Sequence, residues 1–179
     1  MIFAVDCQYV EHHAAVTGAI NTSATAAGIL FNRWDDATPS HTFVKQIDDV
    51  APYVPGQFYQ RELPCIVALL AELKQPPKLI VVDGYVTLGE AAKPGLGWHL
   101  YQAVAQQIPV IGVAKKPFIG TPATAEIFRG NSQNPLYVSS IGVALPQAKQ
   151  WVLSMHGKHR LPSLLKYVDQ LARGIVRET

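Results

Sequence analysis

Three short apolar segments, each followed at once by a charged residue, constrain the fold of this 179-residue chain most strongly. They are Phe3-Ala4-Val5-Asp6, Leu79-Ile80-Val81-Val82-Asp83 and Val110-Ile111-Gly112-Val113-Ala114-Lys115. Continuous apolar runs of this length are typical of strands buried on both faces of a sheet. Functional groups of open α/β sheets cluster at the carboxyl ends of such strands. If these strands are neighbours, the pattern predicts that two carboxylates and a lysine meet at one edge.

The remaining segments predict helices around a mixed sheet. Strands are predicted over Ile2–Tyr9, Ala26–Trp34 and Thr42–Ile47, and turns around Asn21–Ser23 and after Trp34 indicate an antiparallel meander. Further along, the pattern predicts helices over about 62–75, 97–107, 148–155 and 162–173, a strand over Leu136–Val138 and a loop over about 119–134. This order predicts the α/β class, with a mixed central sheet (antiparallel first three strands, then parallel strands) flanked by helices. Because no repeat or linker divides the chain, residues 1–179 are expected to form a single domain.

Composition excludes several classes of protein. Apolar residues make up 49% of the chain and charged residues 16%, which predicts a globular rather than a disordered chain. The formal net charge of +2 permits a nucleic-acid partner without requiring one. No apolar run is long enough for a membrane span, and the N-terminus lacks the features of a signal peptide. We therefore expect a cytoplasmic monomer without a membrane partner, with Cys7 and Cys65 as buried free thiols.

Carboxylates placed as Asp6 and Asp83 predict a cation site. Two close carboxylates repel each other unless one is protonated or a cation lies between them. A hard divalent cation such as Mg²⁺ or Mn²⁺ suits a site built from oxygen atoms alone. The alternative is that each aspartate only caps a following turn or helix.

Four further residues are candidates, each with a structural alternative. Glu62 follows a proline-rich loop and could equally favour the first turn of a helix. Asp169 lies at the edge of an apolar helical face, where a metal or a neighbouring cation would have to compensate its charge. Lys115 could stabilise phosphate charge at the sheet edge, or Lys115 and Lys116 could be solvated surface lysines. Tyr53 could stack on a base, or pack on the adjacent helix.

In order along the chain, these segments and several others resemble the endonuclease V family. The matching blocks are Ala4-Val5-Asp6, Pro52-Tyr53-Val54-Pro55-Gly56 with Arg61-Glu62, Val82-Asp83-Gly84, Gly112-Val113-Ala114-Lys115-Lys116, Leu136-Tyr137-Val138-Ser139, Arg160-Leu161-Pro162 and Asp169 with Leu171-Ala172-Arg173. The resemblance implies a ribonuclease H-like fold. It also implies Mg²⁺- or Mn²⁺-dependent hydrolysis of a phosphodiester bond 3′ to a deaminated base, inosine, in DNA or RNA.

The resemblance also implies roles for individual residues. The metal-site and catalytic carboxylates would be Asp6, Glu62, Asp83 and Asp169, and Lys115 would be the catalytic lysine. Nucleic-acid contacts would come from Tyr53, Pro55, Gly56, Gly84 and Lys116, with Tyr53 as the wedge beside an extruded base. In chemical terms, carboxylates hold the metal, the metal activates water, and lysine adds charge stabilisation. A rigid aromatic loop would hold a flipped base out of the stack.

The loop after Asp83 departs from the family pattern. Where the family has Gly-His-Gly, this chain has Gly84-Tyr85-Val86, and Gly89 stands where a later histidine is expected. Two other hypotheses follow: a related nuclease with a changed substrate preference, and a non-catalytic nucleic-acid-binding protein. A pocket filled by Tyr85 or Leu88 would argue against the capture of a base.

Overall fold

A computed structural model describes residues 1–13, 20–48, 50, 51, 54, 57 and 59–176, except for the side chains of residues 13, 20 and 21. The strands in this part of the chain are β1 (Ile2–His13), β2 (Ile20–Phe31), β3 (His41–Ile47), β4 (Leu79–Asp83), β5 (Thr87–Leu88), β6 (Lys93–Pro94), β7 (Val110–Ala114), β8 (Glu126–Ile127) and β9 (Leu136–Ile141). The α-helices are α1 (Tyr59–Leu70), α2 (Leu96–Ala103), α3 (Leu145–Ser154) and α4 (Ser163–Ala172). Within the described residues, no helix has the length and apolar character that a membrane crossing requires.

Seven of these strands form one mixed sheet, in the order β3-β2-β1-β4-β7-β9-β8. The pairs β1–β2 and β2–β3 are antiparallel, whereas β1–β4 and β4–β7 are parallel. The expected fold class is therefore confirmed. The parallel part is nevertheless shorter than expected, since β9 runs antiparallel to both β7 and β8. A parallel connection needs a long crossover, usually an α-helix, and the segment between β7 and β9 contains only a short 3-10 turn and β8.

The first hairpin is longer than the sequence indicated. Strand β2 begins at Ile20, so the turn predicted around Asn21–Ser23 is wrong: Thr22 pairs with Glu11, and the ladder continues. Turn propensity is a weak preference that strand pairing and burial override. Here Ala24 and Ala26 are almost fully buried, which holds this part of β2 in the sheet.

Two apolar cores cover the two faces of the sheet. One contains Ile2 and Ala4 of β1 and packs beneath α3 and α4; the other contains Phe3 and Val5 and packs beneath α1 and α2. Successive side chains of a strand point to opposite faces. By this alternation Asp6, two residues beyond Ala4, belongs to the face covered by α4.

Candidate acidic metal centre

Three adjacent parallel strands bring Asp6, Asp83 and Lys115 to the same edge of the sheet. Val5 pairs with Val82, so Asp6 and Asp83 are the next residues on neighbouring strands. Lys115 directly follows β7, the other neighbour of β4. Asp6 does not end its strand. The pairing of β1 with β4 ends beside it, but β1 continues to His13, paired with β2. Asp6 therefore caps neither a turn nor a helix.

Helix α4 supplies a third carboxylate. One carboxylate oxygen from each of Asp6, Asp83 and Asp169 lies within 4.8 Å of the other two. Nζ of Lys115 donates hydrogen bonds to Asp83 Oδ2 at 2.7 Å and to Asp169 Oδ1 at 3.0 Å. Arg173, one helical turn after Asp169, lies 3.1 Å from its Oδ2 through Nε. Asp83 and Asp169 are thus ion-paired, whereas Asp6 accepts the backbone N–H of Cys7 at 2.8 Å.

Glu62 approaches the same centre from the opposite face of the sheet. It lies in the first turn of α1, which packs on the other apolar core. Together with Asp6, Asp83 and Asp169 it lines a cleft of about 290 Å³. Glu62 is not part of the 4.8 Å group of three carboxylates, so the structure places it on the cleft wall.

Burial and mutual repulsion make two of these carboxylates difficult to ionise. Burial, followed by the negative charge of Asp83, raises the pKa of Asp6 from 3.8 to about 7, although Lys115 partly opposes this. Burial, then Asp6 and Asp83, raises the pKa of Glu62 from 4.5 to about 8. Charges of like sign within a few ångströms disfavour the ionised form in this way. The centre therefore contains more negative charge than its lysine neutralises.

Asp169 behaves in the opposite way. Burial raises its pKa, but the hydrogen bond and charge of Lys115, and then Arg173, outweigh burial and hold the pKa below its ordinary value. Burial opposes ionisation of Lys115, but Asp83 and Asp169 raise its pKa. Lys115 is accordingly a charged, partly buried lysine, 34% exposed, and not a solvated surface residue.

The donor set fits a hard divalent cation. All candidate ligand atoms are carboxylate oxygens, the atoms that Mg²⁺ and Mn²⁺ prefer. A cation near Asp6 would also compensate the charge that raises the pKa of Asp6 and Glu62. Asp6, Asp83 and Asp169 are the residues that could hold it, with Glu62 facing it across the cleft.

The residues expected to contact nucleic acid lie partly outside the described chain. Tyr53, Pro55 and Gly56 are not among the described residues. Gly84 follows Asp83 with a φ of 143°, a conformation that side-chain-bearing residues rarely adopt. Lys116 is exposed next to the buried end of β7.

The loop after Gly84 is tied to the turn that follows Lys116. Tyr85 Oη donates a hydrogen bond to the carbonyl of Lys116 at 2.8 Å and accepts one from the N–H of Phe118 at 3.3 Å. The next residue of this loop, Val86, donates its N–H to Ser139 Oγ of β9 at 2.8 Å. The loop crosses β7 at Gly112, where an added Cβ would lie 2.5 Å from the carbonyl oxygen of Gly84. Tyr85 therefore fills space between the loops that follow β4 and β7.

Arg160 supports the backbone of Lys115. Its Nη2 donates to the carbonyl of Lys115 and, at 2.7 Å, to the carbonyl of Pro135. These bonds join the end of β7 to the start of β9 and to the segment that leads into α4. The sequence indicated Arg160 only as part of the block Arg160-Leu161-Pro162, because hydrogen bonds to distant carbonyls leave no pattern in a sequence.

Comparison with known proteins identifies the family. The endonuclease V family model matches residues 1–133. An endonuclease V from Rippkaea orientalis is 33% identical over 173 residues, which covers 85% of this chain and 74% of that protein. An endonuclease V from Streptomyces coelicolor is 34% identical over 148 residues, covering 71% of this chain and 62% of that protein. In that second alignment, the chain spans less than two thirds of its relative.

Solved structures show the same fold. A crystal structure of Ciona intestinalis endonuclease V, in complex with a 24mer DNA containing an inosine followed by a ribo-adenosine, superposes with a TM-score of 0.72. The superposition covers 97% of this chain and 84% of that chain at 17% identity, so it is informative about the fold alone. The family model, by contrast, covers most of the sequence, and the identity to two relatives exceeds 30%. The chain belongs to the endonuclease V family.

Proposed function

We propose that this protein is a Mg²⁺- or Mn²⁺-dependent endonuclease that hydrolyses a phosphodiester bond 3′ to an inosine in DNA or RNA. The observation that carries the proposal is the group of three carboxylates bonded to Lys115, in a chain of the endonuclease V family. The Ciona relative is bound to an inosine-containing DNA, which supports the choice of substrate. The unit of activity is a single domain spanning residues 1–179.

The geometry of the carboxylates and Lys115 supports the roles that we propose for them. Asp6, Asp83 and Asp169 would hold the divalent cation, which when bound would activate water and neutralise phosphate charge. Glu62, on the wall of the same cleft, is proposed as a further carboxylate of the centre. Lys115 holds a positive charge beside Asp83 and Asp169, which both line the cleft. A fixed charge of this kind stabilises an anionic transition state without reorganisation.

Nucleic-acid contacts are proposed on both sides of this centre. Lys116 is exposed directly after Lys115, where a lysine attracts the phosphate backbone. At Gly84 the space that a side chain would occupy is open, which leaves room for the backbone of a strand beside Asp83. Tyr53, with Pro55 and Gly56, is proposed to stack against the base.

The direct test is cleavage of matched labelled strands. DNA and RNA strands with one inosine, and the same strands with adenine, are incubated with the protein in Mn²⁺, in Mg²⁺ and in EDTA. We expect cutting 3′ to inosine, in the presence of either metal and not in EDTA. Cutting in EDTA would refute the metal dependence, and a folded protein that binds Mn²⁺ but cuts no strand would refute the endonuclease.

A second candidate, a nuclease with a changed base preference, is favoured by Tyr85. Its hydroxyl joins the loops after β4 and β7, so its ring occupies space in which a base could otherwise be held. Equal cutting of inosine and adenine strands would select this candidate. The non-catalytic hypothesis is opposed by the carboxylates, because clustered acidic groups repel phosphate unless a cation is bound.

Arg160→Gln is expected to lower kcat by about ten- to a hundredfold, with little change in KM, because a small displacement of a catalytic group is costly. The reason is that Arg160 fixes the backbone of Lys115. Single-turnover cleavage of the inosine strand measures this change. Arg33→Gln is the matched control, since Arg33 is 74% exposed and pairs only with Asp35 in the ion pairs of the described residues. Wild-type kcat in folded Arg160→Gln would contradict the assignment.

A further inference from the structure

The cleft beside the carboxylates has a second wall that the proposed chemistry does not use. This wall is formed by Gln8, Tyr9 and Arg61, in the same cleft of about 290 Å³ that contains Asp6, Glu62 and Asp83. A water molecule takes up about 30 Å³ in the liquid. The cleft is therefore large enough for a phosphate group and its hydration in addition to a cation.

Arg61 is held in a fixed position on this wall. Its guanidinium carbon lies 4.1 Å from the centroid of the Tyr9 ring, a distance at which an arginine stacks favourably on an aromatic face. Tyr9 itself extends from β1, three residues beyond Asp6. The stack therefore places a planar cation at a defined distance along the strand that contains Asp6.

Two polar atoms of this stack are buried without a partner. Arg61 Nε and Tyr9 Oη have no hydrogen-bond partner within the described parts of the chain. Buried polar groups are almost always hydrogen-bonded, so each exception requires an explanation. Because both atoms are inaccessible to solvent, a ligand in the cleft would bond to the part of the Arg61 guanidinium that lines it rather than to Nε itself.

Arg61 forms no ion pair with the described residues. The ion pairs of the described residues include Lys115 and Arg173 on Asp169, and Lys115 on Asp83, but none to Arg61. Glu62, the next residue, keeps a raised pKa although Arg61 lowers it. Arg61 is thus neither the counter-ion of the carboxylates nor a solvated surface residue.

We propose that Arg61, stacked on Tyr9, binds a non-bridging phosphate oxygen of the nucleic-acid strand, at a phosphate next to the one that is cut. This inference rests on the proposed function, because it requires a nucleic-acid strand in the cleft. Arginine offers a planar set of donors that matches a phosphate, and bonds between ionised partners are about twice as strong as neutral ones. Tyr9 supplies the ring that keeps this set in place.

The test combines Arg61→Gln with strands that lack one phosphate charge. A fluorescein-labelled inosine strand, and a series with a single neutral methylphosphonate at successive positions, are bound to protein in Ca²⁺, a hard cation that carboxylates accept, between about 50 and 200 mM salt, the range over which phosphate contacts are resolved. Arg61→Gln should bind the unmodified strand roughly tenfold more weakly, with a salt slope smaller by about one. At one position, the methylphosphonate should weaken strand binding by the wild type by the same factor as Arg61→Gln does. The same modified strand should bind Arg61→Gln no more weakly than the unmodified strand. Tyr9→Leu should also lower the affinity for the strand, whereas Arg33→Gln should bind it with wild-type affinity.

The outcomes separate this inference from the proposed function. An unchanged salt slope, together with an unchanged methylphosphonate profile in Arg61→Gln, would overturn the role of Arg61 even if the wild type cuts the strand. A wild type that neither binds nor cuts any strand would overturn the proposed function, and this inference with it. If Arg61→Gln does not fold, Arg61→Lys serves instead: it keeps the charge but loses the planar donors. It should then keep the salt slope and lose affinity, and wild-type affinity in Arg61→Lys would refute the proposal.

Discussion

Replacing Asp83 by alanine is expected to reduce strand cleavage by about a thousandfold or more, since a metal centre contributes several kcal/mol to the transition state. Asp83 is the central residue of the candidate site. Its strand, β4, lies between the strands of Asp6 and Lys115, and its Oδ2 accepts a bond from Lys115 at 2.7 Å. The substitution removes one candidate metal ligand and one of the two partners that hold the lysine.

Single-turnover cleavage of the inosine strand in Mn²⁺, with a parallel titration of Mn²⁺ binding, measures both effects. Asp83→Asn separates them, because the amide oxygen still accepts a bond from Lys115 but supplies no negative charge. Asp35→Ala is the matched control, since Asp35 is 59% exposed and pairs with Arg33. If Asp83→Asn were as active as the wild type, Asp83 would only position Lys115. If Asp83→Ala were fully active, the assignment of the site would be wrong.

Without metal, the protein is expected to lose stability as the pH rises from about 5 to 8. Asp6 has an ordinary pKa of 3.8 and a folded pKa of about 7, and Glu62 changes from 4.5 to about 8. Between these values the folded state binds protons that the unfolded state has released, so stability decreases with pH in this window. Between pH 5.5 and 7 the folded Asp6 keeps a proton that the unfolded state has lost, and at about 1.4 kcal/mol for each pH unit we expect a loss of about 2 kcal/mol from this residue.

Urea unfolding at pH 5.5 and at pH 8.0, in EDTA, measures this loss. Asp6→Asn should be more stable than the wild type at pH 8.0 and should show a weaker dependence on pH. Added Mn²⁺ should restore stability at pH 8.0, and its binding should release protons, because ligands must be deprotonated to bind metal. Stability that rises between pH 5.5 and 8.0 in EDTA would contradict the raised pKa of both residues.

The fold class was predictable because the signal for it is local. Apolar runs such as Val110–Ala114 show where strands are buried on both faces, and the helical spacing of Leu164, Leu165 and Val168 shows which face of α4 is covered. The turn around Asn21–Ser23 was predicted wrongly for the same reason: local propensity does not include the pairing of β2 with β1. The antiparallel direction of β9 likewise depends on which strand it meets.

The sequence by itself determined which carboxylates and which lysine stand at the ends of apolar segments, because alternation and burial are properties of neighbouring residues. Only the tertiary structure decided that Asp6, Asp83 and Asp169 meet within 4.8 Å, since this depends on the strand order β1-β4-β7 and on the packing of α4 against β1. The hydrogen bonds of Arg160 and the unpartnered polar atoms of Tyr9 and Arg61 likewise depend on the tertiary structure. Hydrogen bonds and electrostatic fields act through space between residues far apart in the chain, and their partners leave no periodic trace in the sequence.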